Sequence, residues 1–281
     1  MRPTLVVGLA QYASVPGNAP DTVARACRLV QLAARQGADL VLLPEYFNTE
    51  YFAQHRDYRY LDYAEPEDGA SLSRVREVSR EHQVFVAANF YEDGGGGHLY
   101  NTTALVDRSG TIVGKYRKTH PAAIKSLEKI FFRYGSRFPV FPVDGWRVGI
   151  VTSDDNFYPE ATRCVALAGA DAILMPHAVI RGILWDDLFQ TRAFENSTYV
   201  CIANKIGVEQ AFDFCGRSLA VDPFGTVIAA ADDVAEGVQC VTLEIAQVSA
   251  ARKRFHLYRD RRPDLYRRLV QETDQFGQAD G

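Results

Sequence analysis

Short apolar runs of strand length, separated by segments of helical period, constrain this chain most. Leu5–Gln11, Ala38–Leu43, Val84–Phe90, Arg147–Val151, Ala172–Met175 and Tyr199–Asn204 read as strands. Ala38–Leu43 is almost continuously apolar, the pattern of a strand covered on both faces. Between the first two, Asp21–Gln36 carries Val23, Ala26, Cys27, Val30, Ala33 and Ala34 at helical spacing; Asp21 is placed to cap that helix and Gly37 to end it. Ser71–His82, Pro159–Leu167, Trp185–Asn196 and Ile245–Arg254 read as further helices, and Val238–Glu244 as the last strand. Leu99–Asp107 with Thr111–Tyr116, and Cys215–Val221 with Thr226–Ala230, read as hairpins. Alternating strands and helices mixed with hairpins predict a layered α/β fold, with helices covering mixed sheets. Residues 121–142 are irregular and aromatic-rich, and read as a long loop over a site.

At 281 residues the chain is near the upper limit for one hydrophobic core, so one domain is the default and two are possible. The net charge is −4 and no basic run precedes the C-terminal segment, which argues against a nucleic-acid partner. No apolar run approaches the ~18 residues of a membrane span. Met1–Thr4 leads directly into a strand without the flanks of a signal peptide, so the expected address is the cytoplasm. Cys27, Cys164, Cys201, Cys215 and Cys240 are scattered and odd in number, which excludes a CxxC-type site and argues against a disulfide framework.

The stretch from Val148 to Glu160 begins as a strand, breaks into small and acidic residues, and restarts at Pro159-Glu160 as a helix. Strand, sharp turn and helix form a setting in which enzymes display a nucleophile. The residue at the tip is Ser153. Polar residues also stand at or just past other strand ends, namely Glu45, Lys118 and His177, where ligands of α/β folds bind. A buried Glu beside a nucleophile serves as general base and later as acid, and a Lys beside it supports an oxyanion. Spacing alone favours blander roles: Glu45 as a turn cap and Lys118 as a solvated loop charge.

Several motifs in order change that balance. Leu42-Leu43-Pro44-Glu45, Tyr116-Arg117-Lys118-Thr119-His120, Glu128-Lys129 followed by an aromatic pair, and Gly149–Arg163 with Asp155 and Pro159-Glu160 form one set. Arg192–Asn196 and Ser218 through Gly225 agree with it. The chain resembles the nitrilase (carbon–nitrogen hydrolase) superfamily over nearly its whole length. The likeness is greatest to the N-carbamoylputrescine amidohydrolase and β-ureidopropionase branch, which the segment Tyr258–Tyr266 resembles closely. The resemblance implies an α-β-β-α sandwich, one domain over residues 1–281, assembly into homodimers or larger homo-oligomers, and no metal or organic cofactor. It places the family's Glu base, Lys, second Glu and Cys nucleophile on Glu45, Lys118, Glu128 and Ser153.

The nucleophile position thus holds a serine. A thiol is far more readily ionised than a hydroxyl, so the change raises the demand on the base. Asp154 replaces the family's usual aromatic residue, and Pro121–Lys125 replaces its Gly/Pro-rich segment. Ser153 is either an engineered Cys→Ser change or a natural divergence, and the clustering of departures at 152–154 and 121–125 favours the latter. His177 or His120 is open to recruitment as a base, although a lone His at a strand end is more often structural.

Three functions follow. The first is hydrolysis of a small linear amide or N-carbamoyl amine, the second is non-hydrolytic acyl transfer or amide chemistry, and the third is a catalytically silent ligand-binding or assembly protein. Tyr51 and Trp185 are candidates to line the pocket, with Asp154 and His177 as further substrate contacts and Asp154 suited to a cationic tail. The charged segment after residue 255 has too little apolar content to fold alone and is expected to pack on a partner subunit.

Overall fold

The computed structural model describes residues 2–180 and 185–271. In chain order the first half runs β1 (Thr4–Gln11), α1 (Ala19–Arg35), β2 (Leu40–Leu42), α2 (Ala70–His82), β3 (Phe85–Asp93), β4 (Leu99–Val106), β5 (Ile112–Arg117) and the single turn α3 (Glu128–Phe131). The second half runs β6 (Val140–Val143), β7 (Trp146–Ile150), α4 (Pro159–Leu167), β8 (Ala172–His177), α5 (Trp185–Asn196) and β9 (Tyr199–Asn204). It continues with β10 (Ile206–Glu209), β11 (Phe212–Cys215), β12 (Leu219–Val221), β13 (Val227–Ala230), β14 (Gly237–Glu244) and α6 (Ile245–Phe255).

Two six-stranded sheets result, ordered β14-β1-β2-β3-β4-β5 and β13-β12-β9-β8-β7-β6. In the first, β1, β2 and β3 are parallel, flanked by antiparallel β14 on one side and β4 on the other. In the second, β7, β8 and β9 are parallel, flanked by antiparallel β6 and β12. The halves therefore share one βαβαβ layout, α1 and α2 corresponding to α4 and α5. The sequence shows no repeat, because many different apolar residues satisfy the same buried positions.

Strand alternation then makes the layers. Leu5, Val7, Leu9, Leu40 and Leu42 meet Val148, Ile150, Leu174 and Cys201 between the sheets. The opposite faces pack outward, Val41, Val86 and Ala88 against α1 and α2, and Ile173, Met175, Val200 and Ile202 against α4 and α5. This is the expected four-layer α-β-β-α sandwich. Among the described residues no helix is long and apolar enough to cross a membrane.

The structure corrects several local expectations. Asn18, not Asp21, caps α1: its side chain accepts from the Asp21 N–H at 3.1 Å, which leaves Asp21 in the first turn, where a negative charge is favourable. Residues 121–142 are not all loop, since they hold α3 and β6. The expected strand from Cys215 to Val221 is interrupted at Gly216 and Arg217, which take φ of 59° and 51°. Cys215 instead ends β11, whose hairpin with β10 the sequence did not announce. After α6 the tail forms only short turns, Pro263–Leu265 and Arg267–Val270, and leaves Leu265, Leu269 and Val270 exposed. The rest of the tail lies outside the described residues.

Candidate active site

The parallel strands deliver the site. Beyond β2, Leu43 and Pro44 carry the chain out of the sheet, and the Glu45 N–H donates to the His177 carbonyl at 3.2 Å across the two sheets. Tyr46 follows at φ 52°, its N–H held by Asn89 Oδ1 at 2.9 Å. Lys118 lies one residue past β5 and donates its N–H to the Asn101 carbonyl at 2.8 Å. Ser153 opens a 3₁₀ turn, Ser153–Phe157, between β7 and α4. Its φ of 47° is a left-handed conformation that costs energy for a non-glycine residue and recurs at functional turns.

Asp155 makes that turn rigid. Its fully buried carboxylate accepts from the Thr152 N–H at 2.9 Å, the Thr119 hydroxyl at 2.7 Å, the Tyr116 hydroxyl at 2.5 Å and the His120 N–H at 2.9 Å. Burial alone raises this carboxyl's pKa, but His120, Tyr116 and Thr152 outweigh it and hold the group below its usual range. The Ser153 turn is thereby tied to the end of β5, next to Lys118.

Glu45, Lys118 and Glu128 converge, all essentially without exposure. The Lys118 ammonium donates to Glu45 Oε1 at 3.0 Å and to Glu128 Oε2 at 2.8 Å, and reaches Asp154 Oδ2 at 3.5 Å. Asn101 also donates to Glu45 Oε1, at 2.8 Å, while Tyr46 holds the other oxygen of Glu128 at 2.7 Å. Three carboxyls share one ammonium, so the cluster favours holding a proton. Burial pushes Glu45 up to about 7, against the pull of Lys118 and with the help of Glu128. Burial also raises Asp154, again partly offset by Lys118. For Lys118, burial opposes the charge, but Glu128, Glu45 and Asp154 outweigh it and hold the ammonium well above its usual range. The solvated-charge reading of Lys118 is thus excluded by its burial.

Ser153 and Asp154 open on a cavity of about 460 Å³, walled by Tyr51, Phe157, Val179, Ile180 and Phe212, with Lys125 at its edge. Tyr51 is thus at the cavity, its hydroxyl donating to Ser126 at 2.6 Å. His177 and Trp185 are not. The His177 ring uses Nδ1 on the Met175 carbonyl at 3.0 Å and Nε2 on the Asn156 amide at 3.1 Å. Burial pushes its pKa down to about 3, so it is neutral, with both nitrogens engaged. Trp185 packs edge-on against His177 and Phe189 at 5.4 and 4.9 Å, and its Nε1 donates to the Arg217 carbonyl. Both belong to the packing behind the site. His120 is likewise committed, to Asp155 at 2.8 Å and in a stack on Tyr158.

Sequence reading missed Asn101, Asn156 and Tyr46. Asn101 sits within β4, and nothing in its neighbours marks it; only the pairing of β4 with β3 and β5 aims it at Glu45.

The chain matches the carbon–nitrogen hydrolase family over residues 6–253. It is 32% identical over 268 residues to N-carbamoylputrescine amidase of Solanum lycopersicum, covering 88% of this chain and 89% of that one. It is 30% identical over 271 residues to the citrullinase of Francisella tularensis subsp. tularensis, covering 91% and 94%. The crystal structure of a carbon–nitrogen hydrolase from Helicobacter pylori G27 superposes with a TM-score of 0.90, at 24% identity, over 96% of this chain and 99% of that one, a likeness of fold. With this fold and these relatives, the chain belongs to the carbon–nitrogen hydrolase family, a family of enzymes that hydrolyse C–N bonds.

Proposed function

We propose that this protein hydrolyses a non-peptide C–N bond of a small linear amide or N-carbamoyl amine, with Ser153 as nucleophile. The observation that carries the reading is the Lys118 ammonium, buried between Glu45 and Glu128 and 3.5 Å from Asp154, which lines one cavity together with Ser153. Lys118 is placed to support the developing oxyanion. Glu45, with Oε2 unpartnered among the described residues and a pKa near 7, is suited as general base and acid, exchanging protons with water and the leaving amine. Glu128, fixed by Tyr46 and the Ala122 N–H, orients Lys118. The amidase and citrullinase relatives support a carbamoyl-amine or amide substrate, and the apolar walls suit an extended chain. We take Ser153 as the natural residue, since Asp154 beside it also departs from the family pattern. Exposed Leu265, Leu269 and Val270 favour a homo-oligomer in which a second copy covers the tail.

The test is ammonia release from a panel of N-carbamoyl amines and short linear amides. Turnover by the parent chain, lost in Ser153→Ala and in Glu45→Gln, is expected. Activity that appears only in Ser153→Cys would show the serine to be disabling and end the reading of Ser153 as nucleophile. Activity unchanged in Ser153→Ala would do the same.

A further inference from the structure

Ser153 and Asp154 are neighbours in sequence, and the fold also sets their functional groups together. Among the described residues the Ser153 hydroxyl makes one side-chain hydrogen bond, to Asp154 Oδ2 at 3.4 Å. That distance is long for a settled bond, but catalytic hydrogen bonds commonly tighten only when substrate is in place. No histidine competes for the role. His177 has both ring nitrogens occupied, and His120 is committed to Asp155. Glu45 makes no hydrogen bond to Ser153, and its Oε1 is filled by Asn101 and Lys118. The Asp154 oxygen that meets Ser153 is also the one that lies 3.5 Å from the Lys118 ammonium. Nucleophile, carboxylate and an orienting cation therefore form a three-part set, the general arrangement by which a hydroxyl is activated.

We propose, resting on the reading of Ser153 as nucleophile, that Asp154 is the base that takes the Ser153 proton, which leaves Glu45 to serve the leaving amine and the water. Ser153 Oγ bonds to the carbonyl carbon as its proton passes to Asp154 Oδ2, and the C=O electron pair moves onto oxygen beside Lys118. The oxygen pair then re-forms C=O as the C–N bond breaks, and nitrogen departs with the proton of Glu45, leaving an ester on Ser153. Water adds to the ester carbon and gives a proton to Glu45, while the C=O pair again moves onto oxygen. C=O re-forms as the C–Oγ bond breaks, Ser153 recovers its proton from Asp154, and the acid is released. A hydroxyl needs this help and a thiol needs far less, because the thiol ionises some units nearer neutral pH.

That difference supplies the test, made on the full chain. Diisopropyl fluorophosphate forms a P–O bond with an activated serine and releases fluoride, and needs no knowledge of the substrate. Ser153 is expected to be labelled, as read by peptide mass spectrometry, and Asp154→Asn to slow labelling by at least about 100-fold. In a Ser153→Cys background labelled with iodoacetamide, the effect of Asp154→Asn is expected to be at least about 30-fold smaller. Retained cysteine labelling in that double variant also shows that the pocket has folded. The proposal is overturned if Ser153 of the parent stays unlabelled, if Asp154→Asn leaves the serine rate unchanged, or if both backgrounds lose equally. Asp154-dependent labelling without turnover of any amide would support the pair while removing the substrate reading.

Discussion

Three carboxyls around one buried ammonium give Glu45 its character, and also make it a liability to the fold. Burial is the largest influence on Glu45, and it lifts the carboxyl from 4.5 to about 7. Folded protein therefore binds a proton there that the unfolded chain has released, so the linked stability is fully present below about pH 4.5 and is lost as pH rises through about 7. The linkage is of order 3 kcal/mol. Glu45→Gln, which mimics the protonated form, is expected to match the parent's Tm near pH 5 and to exceed it by several degrees at pH 8. Parallel Tm curves over that range would refute the linkage. At this scale the sequence revealed the residue types. Motif order placed Glu45, Lys118 and Glu128, but their burial and shared bonds were not legible, because partners 73 and 82 positions apart meet only through sheet packing.

Among the elements, the Ser153 turn depends on how closely α4 sits on β7. Gly149 makes that approach possible: a Cβ there would lie 2.0 Å from Val165 Cγ1, deeper than any van der Waals contact. Gly149→Ala is expected to cost about 1–3 kcal/mol through overpacking, a loss read as a lower midpoint in urea unfolding. An unchanged midpoint would mean that α4 is free to shift. The strand–turn–helix from Val148 was legible because its polarity switches sharply, and α5 and β9 have the expected bounds. The β10–β11 hairpin was not. Its two-residue connection is Gln210-Ala211, with Gln210 at φ 55°, and so lacks the Asn-Gly or Asp-Gly signature of a tight hairpin.

At the scale of the molecule, the tail behaves as an element without a complete home. Arg252 bonds to Asp171, and the Tyr258 hydroxyl to the Asn196 carbonyl, but beyond them the apolar side chains at 265, 269 and 270 face outward. A separate cavity of about 470 Å³ lies between α4, α5 and this tail, remote from Ser153 in its lining. Light scattering is expected to give the full chain a mass of at least twice 31.3 kDa, and a chain ending at Phe255 a smaller assembly. A monomeric full chain would exclude the tail as a subunit contact.

The alternation of strands and helices, a layered α/β class and the polar residues standing at the strand ends were determined by sequence, because polarity and period act locally; the four-layer sandwich followed only from the family resemblance. Tertiary structure alone decided which of those residues meet. It buried Lys118 among three carboxyls, locked His177 as a neutral ring between Met175 and Asn156, and set Trp185 behind the site. It also gave the Ser153 hydroxyl a carboxylate neighbour. The physical reason is that strand ends converge only when two twisted sheets pack face to face, and no local pattern encodes the distance between loops from different halves of the chain.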